Sequence, residues 1–372
     1  MADRDRTLVV YAGLTPFMNN KVCDAEYMKM FPGGTSLTLM ARSLIAAGYE
    51  FMTFDRHIAQ HPSRRGLLIS DMASGTHPPN NLLPTLCMSL ESPIVASHFY
   101  HHLPTATAPF RKVWDWPGVK PRIRDSERRF IPNAWPTTDT KRERLVPWAE
   151  RRFLAMVSGN KRALQMGWPP RSLLHPRQLL RTAVQNARTL NMKLTDPWMK
   201  SEIYVERLRA IGHFARHADF DLFGSGWERA KTKPERAVNE QITKAWRGPL
   251  PYEQKLDKLA TYKFYLCFEN TVFPGYLTEK LFDCFFAGVI PIYLGDPDVE
   301  DRIPSSAFID ARRFASYADL DDHLRSMTAA QAAEHLEAAD QFLRSDGFKP
   351  FTADYFADTA VRVINDAAAD YA

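Results

Sequence analysis

Cysteine is scarce in this chain, and a hydrophobic run long enough to cross a membrane is missing. Four cysteines occur among 372 residues, and three of them lie in apolar stretches where a free thiol packs like a small hydrophobic side chain. The longest apolar stretch, 281–294, is interrupted by Asp283 and Pro291 and is too short for a membrane span. Four charges in the first six residues are unlike a signal peptide. We therefore expect reduced thiols and a cytoplasmic location.

A large excess of charge of one sign is also missing. Lysine and arginine number 48 and aspartate and glutamate 43, and a net charge of +5 is too small to indicate a nucleic-acid-binding protein. The charge is nevertheless segregated, with 18 basic and 6 acidic residues over 111–190 and 7 basic and 16 acidic residues over 296–372. The basic region contains an amphipathic segment, 177–194. We expect this segment either to pack on the protein or to lie on an anionic membrane surface, at the inner face of the membrane.

The common nucleotide and metal motifs are absent from the sequence. No GxGxxG follows a strand-like run and no GxxxxGK[ST] occurs, which removes the main support for dinucleotide-binding and P-loop proteins. Asp-x-Asp pairs occur, as at 219–221 and 296–298, but they flank turns or helix starts and predict solvated or capping carboxylates. The histidines in 98-HFYHH-102 have no acidic partner at ligand spacing. We therefore predict no metal site.

Short β-branched and aromatic runs alternate with segments of helical period along most of the chain, beginning at 7–11. Among them, 86–90 predicts a strand, and 262–268, 278–286 and 289–294 predict a strand, a helix and a strand. This rhythm is typical of an α/β protein with a parallel sheet covered by helices. Residues 101–150 interrupt it with seven prolines and many charges, and we predict irregular loops there. The interruption indicates two domains, 1–150 and 151–350, followed by an amphipathic helix at 351–372.

The segment 269-ENTVFPGYLTEKLFDCFFAG-288 carries the clearest chemical signal. Tyr276, Glu279 and Lys280 are spaced i, i+3 and i+4 at a helix start, so they project to one side, beside the free N–H groups of the first turn. Those N–H groups and Lys280 form an anion site, and the carboxylate suits ribose hydroxyls. The alternative is a helix start whose charges are merely exposed. We favour a site for a diphosphate-sugar.

Residues 262–310 resemble the donor-binding motif of the α1,3/4-fucosyltransferases, glycosyltransferase family 10, which transfer L-fucose from GDP-fucose to N-acetylglucosamine-type acceptors. The likeness includes the family's FEN, TEK, AGVxPxYLG and IPxxxFI elements. Weaker likeness extends to the ESP turn at 91–93, to MVSGNK at 156–161 and to the segment 204–227. The C-terminal FKPFTADYF resembles bacterial members.

The resemblance assigns roles to individual residues. Glu91 falls on the family's general base in the ESP turn, and Arg207 falls on its phosphate-binding arginine. The same likeness places Tyr276, Glu279 and Lys280 among the donor ligands. Two further donor ligands are implied less directly, Asn270 and Ser158.

The resemblance also implies a fold and a mechanism. Two Rossmann-like domains would face each other across a cleft, the GT-B arrangement, with the acceptor on 1–150 and the donor on 151–350. The reaction would be an inverting displacement in which Glu91 takes the acceptor proton and GDP leaves without help from a metal or other cofactor. The product would be an α1,3- or α1,4-linked fucose on a surface glycan.

Several alternatives stay open at this point. The same diphosphate site would serve transfer of another 6-deoxyhexose from a GDP donor. A non-catalytic glycan-binding or peripheral membrane protein is a further alternative, because 111–190 is so basic. The segment 165–199 is not expected in bacterial members of the family, and the acceptor therefore stays undefined.

Overall fold

Two parallel β-sheets form the framework of the protein. A computed structural model describes residues 7–72, 81–138, 146–160, 202–228 and 240–369, together with the single residues 187, 191 and 194. The first sheet has the order β2-β1-β3-β4-β5-β6 and the second the order β11-β10-β9-β7-β8, and every strand pair in both sheets is parallel. Two Rossmann-like α/β units therefore follow one another along the chain, and the expected GT-B class is confirmed.

The strands are short and mostly buried. Those of the first sheet are Leu8–Ala12 (β1), Glu50–Thr53 (β2), Gly66–Asp71 (β3), Leu82–Met88 (β4), Lys112–Asp115 (β5) and Phe130–Pro132 (β6). Those of the second are Arg152–Val157 (β7), Phe220–Phe223 (β8), Tyr262–Phe268 (β9), Ile290–Leu294 (β10) and Ile309–Asp310 (β11). Burial on both faces explains why their sequences are nearly continuous apolar runs.

Helices cover both sheets. In the described part of the chain they are Ala25–Met28 (α1), Gly34–Ala46 (α2), Phe54–Gln60 (α3), Ser97–His101 (α4), Leu103–Thr107 (α5), Ser126–Arg129 (α6), Tyr204–Phe214 (α7), Lys255–Leu259 (α8), Glu279–Ala287 (α9), Tyr317–Ser326 (α10), Ala329–Arg344 (α11) and Ala353–Ala369 (α12). None of the helices in the described ranges combines the length and apolarity needed to cross a membrane.

The region 101–150 differs from its prediction. It contains β5 and β6, which extend the first sheet, where the sequence predicts only loops. Both strands are short and flanked by proline or charge, so the local pattern did not reveal them. β6 is the edge strand of the sheet, where proline is tolerated, and β5 lies between β4 and β6.

The last helix, α12, packs against the first sheet's helix α2 rather than against the second sheet. Phe356 stacks on Trp114 of β5 with ring centroids 4.4 Å apart, and it shares a buried cluster with Val363 and Ile364. The chain therefore returns to the first domain after completing the second.

We expect Phe356→Ala to destabilise the protein by about 3–5 kcal/mol, because it removes a fully buried ring and leaves a cavity against Trp114. Urea unfolding followed by circular dichroism measures this loss. Tyr355→Ala, at the neighbouring position with 44% of the side chain exposed, is the matched control and should change stability little. A loss for Phe356→Ala no larger than that of the control would mean that α12 is not part of the core.

The basic segment 177–194 lies almost entirely outside the described residues. Only Ala187, Asn191 and Leu194 are described; they are helical, and Leu194 is 70% exposed. Contact of this segment with a membrane stays a prediction.

Candidate active site

The second sheet changes direction between β7 and β9. From β7 the chain continues to β8 on one side, and β9 then begins the other half of the sheet. Ligands of such sheets bind beyond the carboxyl ends of the strands at this switch point. Ser158 directly follows β7, and Glu269 and Asn270 directly follow β9, so three residues lie at the place where the topology predicts a ligand.

Glu269, at the carboxyl end of β9, connects this strand to the start of α9. Its carboxylate is fully buried and accepts hydrogen bonds from the Thr278 backbone N–H at 2.9 Å and from the Thr278 hydroxyl at 2.8 Å. Lys280 Nζ lies 2.9 Å from the same carboxylate. Because the Thr278 hydroxyl is engaged here, it does not cap the N-terminus of α9, where it is the N-cap residue. The first-turn N–H groups of α9 are therefore not satisfied by the side chain that usually caps them.

Lys280 and Glu279 form the charged pair at the start of α9. Burial by itself would lower the pKa of Lys280, but the carboxylates of Glu269 and Glu279 outweigh it, and the pKa lies above its usual range. Burial opposes ionisation of Glu279, whereas the positive charge of Lys280 lowers its pKa below the usual value. Both residues are therefore charged at neutral pH. The Lys280 side chain is 20% exposed.

Arg207 on α7 reaches the same edge. Its Nη2 donates to the carbonyl oxygens of Phe268 at 2.6 Å and Glu269 at 2.5 Å, and to Asn270 Oδ1 at 3.1 Å. Its Nε is buried and has no hydrogen-bond partner among the described residues. No carboxylate within the described residues forms an ion pair with Arg207. The guanidinium is thus held by carbonyl groups, and its positive charge is left for an anion.

Ser158 and Tyr276 are buried more deeply than a freely accessible ligand-binding residue. Ser158 is 7% exposed, and its hydroxyl donates to the Gly159 carbonyl oxygen at 3.3 Å. Tyr276 is 2% exposed, and its hydroxyl lies 3.4 Å from Asn270 Nδ2. The Tyr276 ring packs edge-on against Trp116 of the first domain. Tyr276 therefore lies at the boundary between the two domains.

Glu91 lies on the opposite side of this boundary, in the turn after β4. It is partly exposed, and its backbone carbonyl accepts hydrogen bonds from the Tyr100 hydroxyl at 2.8 Å and from Trp116 Nε1 at 3.0 Å. Burial raises the pKa of Tyr276, and the negative charges of Glu269 and Glu91 raise it further. The structure therefore brings the carboxylate of Glu91 within electrostatic reach of the second domain's cluster.

Two carboxyl groups near Glu91 were not predicted from the sequence. Burial raises the pKa of Asp71, at the end of β3, to about 7, and the charge of Glu91 contributes to the rise. Burial likewise raises the pKa of Asp115, at the end of β5, to about 8. Their positions at the ends of buried strands are the only sequence signal that points to them. Burial thus favours the protonated forms of both carboxyl groups beside the Glu91 turn.

The raised pKa of Asp115 predicts a pH dependence of stability. The folded protein keeps this proton from about pH 4 to pH 8, whereas the unfolded chain has released it, so stability falls as pH rises through that window, by up to about 1.4 kcal/mol per pH unit. Asp115→Asn removes this titration and can keep the acceptor for the Trp116 N–H and the Tyr100 hydroxyl. We expect its melting temperature to exceed that of the parent at pH 8.5 and to match it near pH 5. An equal difference at both pH values would contradict the assignment.

One carboxylate in each of the pairs 219–221 and 296–298 differs from its prediction. Asp221 and Asp296 are fully buried, whereas Asp219 is partly exposed and Asp298 is exposed, as predicted. Asp221 is 2.6 Å from Arg247 and accepts a hydrogen bond from Tyr262, and Asp296 pairs with Arg302 and accepts the Gly275 N–H at 2.8 Å. Each carboxylate is occupied by protein donors. The two pairs therefore support the fold of the second domain.

One cluster in the described residues has the ligand types of a metal site. His213, His217 and Asp321 place ligand atoms within 4.8 Å of one another. His217 Nε2 is 3.3 Å from the Asp321 carboxylate, and Arg325 Nε is 3.0 Å from it. The carboxylate is thus already neutralised by side chains of the protein. His213 lies in the last turn of α7 and His217 follows the helix, whereas Arg207 lies near the start of α7.

Comparison with known proteins supports this reading of the second domain. Residues 188–336 match the family model described as glycosyltransferase family 10 (fucosyltransferase) C-term. The match covers 149 of the 372 residues, all of them after β7. The matched segment contains Arg207, Asn270, Tyr276, Glu279 and Lys280, which the structure brings to one sheet edge. Glu91 and Ser158 lie outside it.

The chain is also similar to curated fucosyltransferases. It is 38% identical over 81 residues to the α-(1,3)-fucosyltransferase FucT of Helicobacter pylori, a match that covers 21% of this chain and 17% of that protein. It is 37% identical over 112 residues to α-(1,3)-fucosyltransferase 4 of Bos taurus, covering 27% and 28%. The matches thus span less than a third of each relative. A crystal structure of an α1,3-fucosyltransferase aligns over 97% of this chain and 91% of its own, at 15% identity and a TM-score of 0.46.

Proposed function

We propose that this protein is an inverting glycosyltransferase that moves L-fucose from GDP-fucose to a hydroxyl group of an N-acetylglucosamine-type acceptor. The observation that carries the proposal is the arrangement of Arg207, Lys280 and the α9 N-terminus at the switch point, opposite the Glu91 turn. The fucosyltransferases of Helicobacter pylori and Bos taurus to which the chain is similar support L-fucose as the sugar and an α1,3 linkage. The resemblance of residues 262–310 to the α1,3/4-fucosyltransferases supports GDP-fucose as the donor.

In this mechanism the second domain binds the donor. The positive charges of Arg207 and Lys280 and the N–H groups of α9 bind the diphosphate, and Glu279 accepts hydrogen bonds from the ribose. As the bond from the anomeric carbon to the diphosphate breaks, these groups stabilise the growing negative charge on the leaving GDP. Two cations and a helix N-terminus supply the stabilisation that a metal ion supplies elsewhere. We therefore propose that transfer needs no metal.

The first domain then provides the base. Glu91 accepts the proton of the acceptor hydroxyl as its oxygen attacks the anomeric carbon from the side opposite to GDP. One carboxylate suffices, because a single displacement forms no covalent sugar-enzyme intermediate.

The test is GDP release from GDP-fucose by the purified protein, with N-acetylglucosamine and galactose-N-acetylglucosamine as acceptors and with EDTA present. We expect acceptor-dependent GDP release, EDTA resistance, and a product whose anomeric configuration by NMR is opposite to that of the donor. Faster turnover with another GDP-6-deoxyhexose would show that this sugar, and not fucose, is the one transferred. Binding of glycan without GDP release from any donor would favour a glycan-binding protein.

Contact with an anionic membrane through 177–194 is a further proposal. Co-sedimentation with vesicles of increasing anionic-lipid content tests it, and binding should weaken as salt screens the charges.

A further inference from the structure

A short segment of the first domain, residues 116–118, contacts a turn of the second domain, residues 273–276. Trp116 and Tyr276 pack edge to face with ring centroids 4.9 Å apart. The backbone N–H of Gly118 donates a 2.9 Å hydrogen bond to the carbonyl oxygen of Pro274. Phe273 and Tyr276 are buried in a cluster made otherwise of first-domain residues. The turn of the second domain is therefore inserted into the first.

Two glycines make this approach possible. A Cβ atom on Gly118 would lie 2.7 Å from the Phe273 ring and 3.1 Å from the Pro274 carbonyl oxygen. A Cβ atom on Gly275 would lie 2.1 Å from the Pro117 ring, and Gly275 has a φ of +81°. Neither position has room for a larger residue in this arrangement. The close contact therefore requires a glycine in each domain, Gly118 in the first and Gly275 in the second.

The turn 273–276 is fixed to the donor strands. The Gly275 N–H donates to the buried carboxylate of Asp296, which follows β10. The Tyr276 hydroxyl lies beside Asn270, which follows β9. The turn therefore keeps a defined position relative to the switch point.

On the other side, Trp116 is fixed to the Glu91 turn. Its indole N–H donates to the Glu91 carbonyl at 3.0 Å, and its backbone N–H donates to Asp115 at 2.7 Å. Trp116 is fully buried. One side chain therefore contacts both the backbone of the candidate base and a residue of the donor domain.

We propose that Trp116 is a positioning residue that sets the location of Glu91 relative to the donor. This inference rests on the proposed function, because it assumes that Glu91 acts on an acceptor held against that donor. Trp116 itself touches neither the reacting atoms nor the charged groups that bind the diphosphate. Losing its indole N–H should therefore lower turnover and leave donor binding intact.

Trp116→Phe tests this directly, since it keeps a buried ring against Tyr276 and removes the hydrogen bond to Glu91. We expect kcat to fall about tenfold, the scale of one lost hydrogen bond, while the Kd for GDP and the KM for the donor stay within about twofold. Trp114→Phe is the matched control: it is a buried tryptophan two residues earlier that packs on Phe356 of α12. It should keep both kcat and KM.

Hydrogen exchange of the unliganded protein separates this inference from the proposed function. In Trp116→Phe the amides of residues 89–92 should exchange about tenfold faster than in Trp114→Phe. If residues 89–92 exchange faster in Trp116→Phe but the parent protein transfers no sugar, the proposed function is wrong and the role of Trp116 in positioning the Glu91 turn still holds. Unchanged exchange at 89–92, or a kcat loss no larger than that of Trp114→Phe, would overturn the role of Trp116.

Discussion

Glu91→Gln should lower kcat by about 10²-fold or more while leaving the affinity for GDP nearly unchanged. The amide has the shape and polarity of the carboxylate but cannot accept the proton of the acceptor hydroxyl. The hydrogen bonds from the Tyr100 hydroxyl and the Trp116 indole go to the Glu91 backbone carbonyl, so the substitution should not disturb them. Steady-state kinetics with saturating donor and calorimetric titration with GDP measure the two effects.

A matched control for this variant is Glu127→Gln, which removes a carboxylate from an 84% exposed side chain of the same domain. Its kcat should equal that of the parent. Near-normal turnover of Glu91→Gln would remove Glu91 from the mechanism. A large loss of GDP affinity would instead assign Glu91 to donor binding.

Lys280→Ala should reduce kcat/KM for the donor by about 10²- to 10³-fold, because the ammonium group stabilises the leaving diphosphate. The structure adds a second effect that the sequence did not indicate. Removal of the ammonium group leaves the buried carboxylate of Glu269 without its ion-pair partner. Breaking a buried ion pair in this way costs about 3–5 kcal/mol of stability. Activity assays and urea unfolding on the same preparation measure both losses.

The double variant Glu269→Gln/Lys280→Ala separates these two effects. It removes the uncompensated carboxylate, so stability should return partly while activity stays low. Recovery of activity together with stability would show that Lys280 supports only the fold. Retention of full donor kcat/KM in folded Lys280→Ala would remove it from the diphosphate site.

The core of the second domain was predictable because its local signals agree with one another. The sequence predicts a strand at 262–268, a helix at 278–286 and a strand at 289–294, and the structure has Tyr262–Phe268, Glu279–Ala287 and Ile290–Leu294. Gly288 adopts a left-handed φ of +65° at the end of the helix, as a C-terminal glycine should. Here apolar pattern, turn residues and caps all favour the same elements.

The first sheet was less predictable because one of its strands contains a proline. β4 begins at Leu82, whereas the sequence predicts a start at Leu86, after Pro84. The pairing of β3 with β4 shifts register beside this proline, which accommodates the missing N–H. The local sequence pattern predicts that a strand ends at a proline. In the folded protein, pairing with β3 allows β4 to continue through Pro84.

The candidate site was predictable only in part, because some of its contacts join residues that are distant in sequence. Glu279 and Lys280 could be identified because they lie at the predicted start of a helix. Tyr276 lies before α9, in the turn 273–276, so its expected projection beside Glu279 and Lys280 from one helix was wrong. The burial of Glu269 and the contact of Trp116 with Tyr276 depend on residues that are distant in sequence and meet only in the folded chain. No local pattern encodes the latter contact, which spans 160 positions.

The return of α12 to the first domain has a consequence for motion between the domains. The polypeptide crosses from one domain to the other between β6 and β7 and crosses back between α11 and α12. Two covalent connections restrict twisting of one domain against the other more than a single connection would. We therefore expect cleavage of the chain before α12 to remove this restraint and to expose the apolar face of α2.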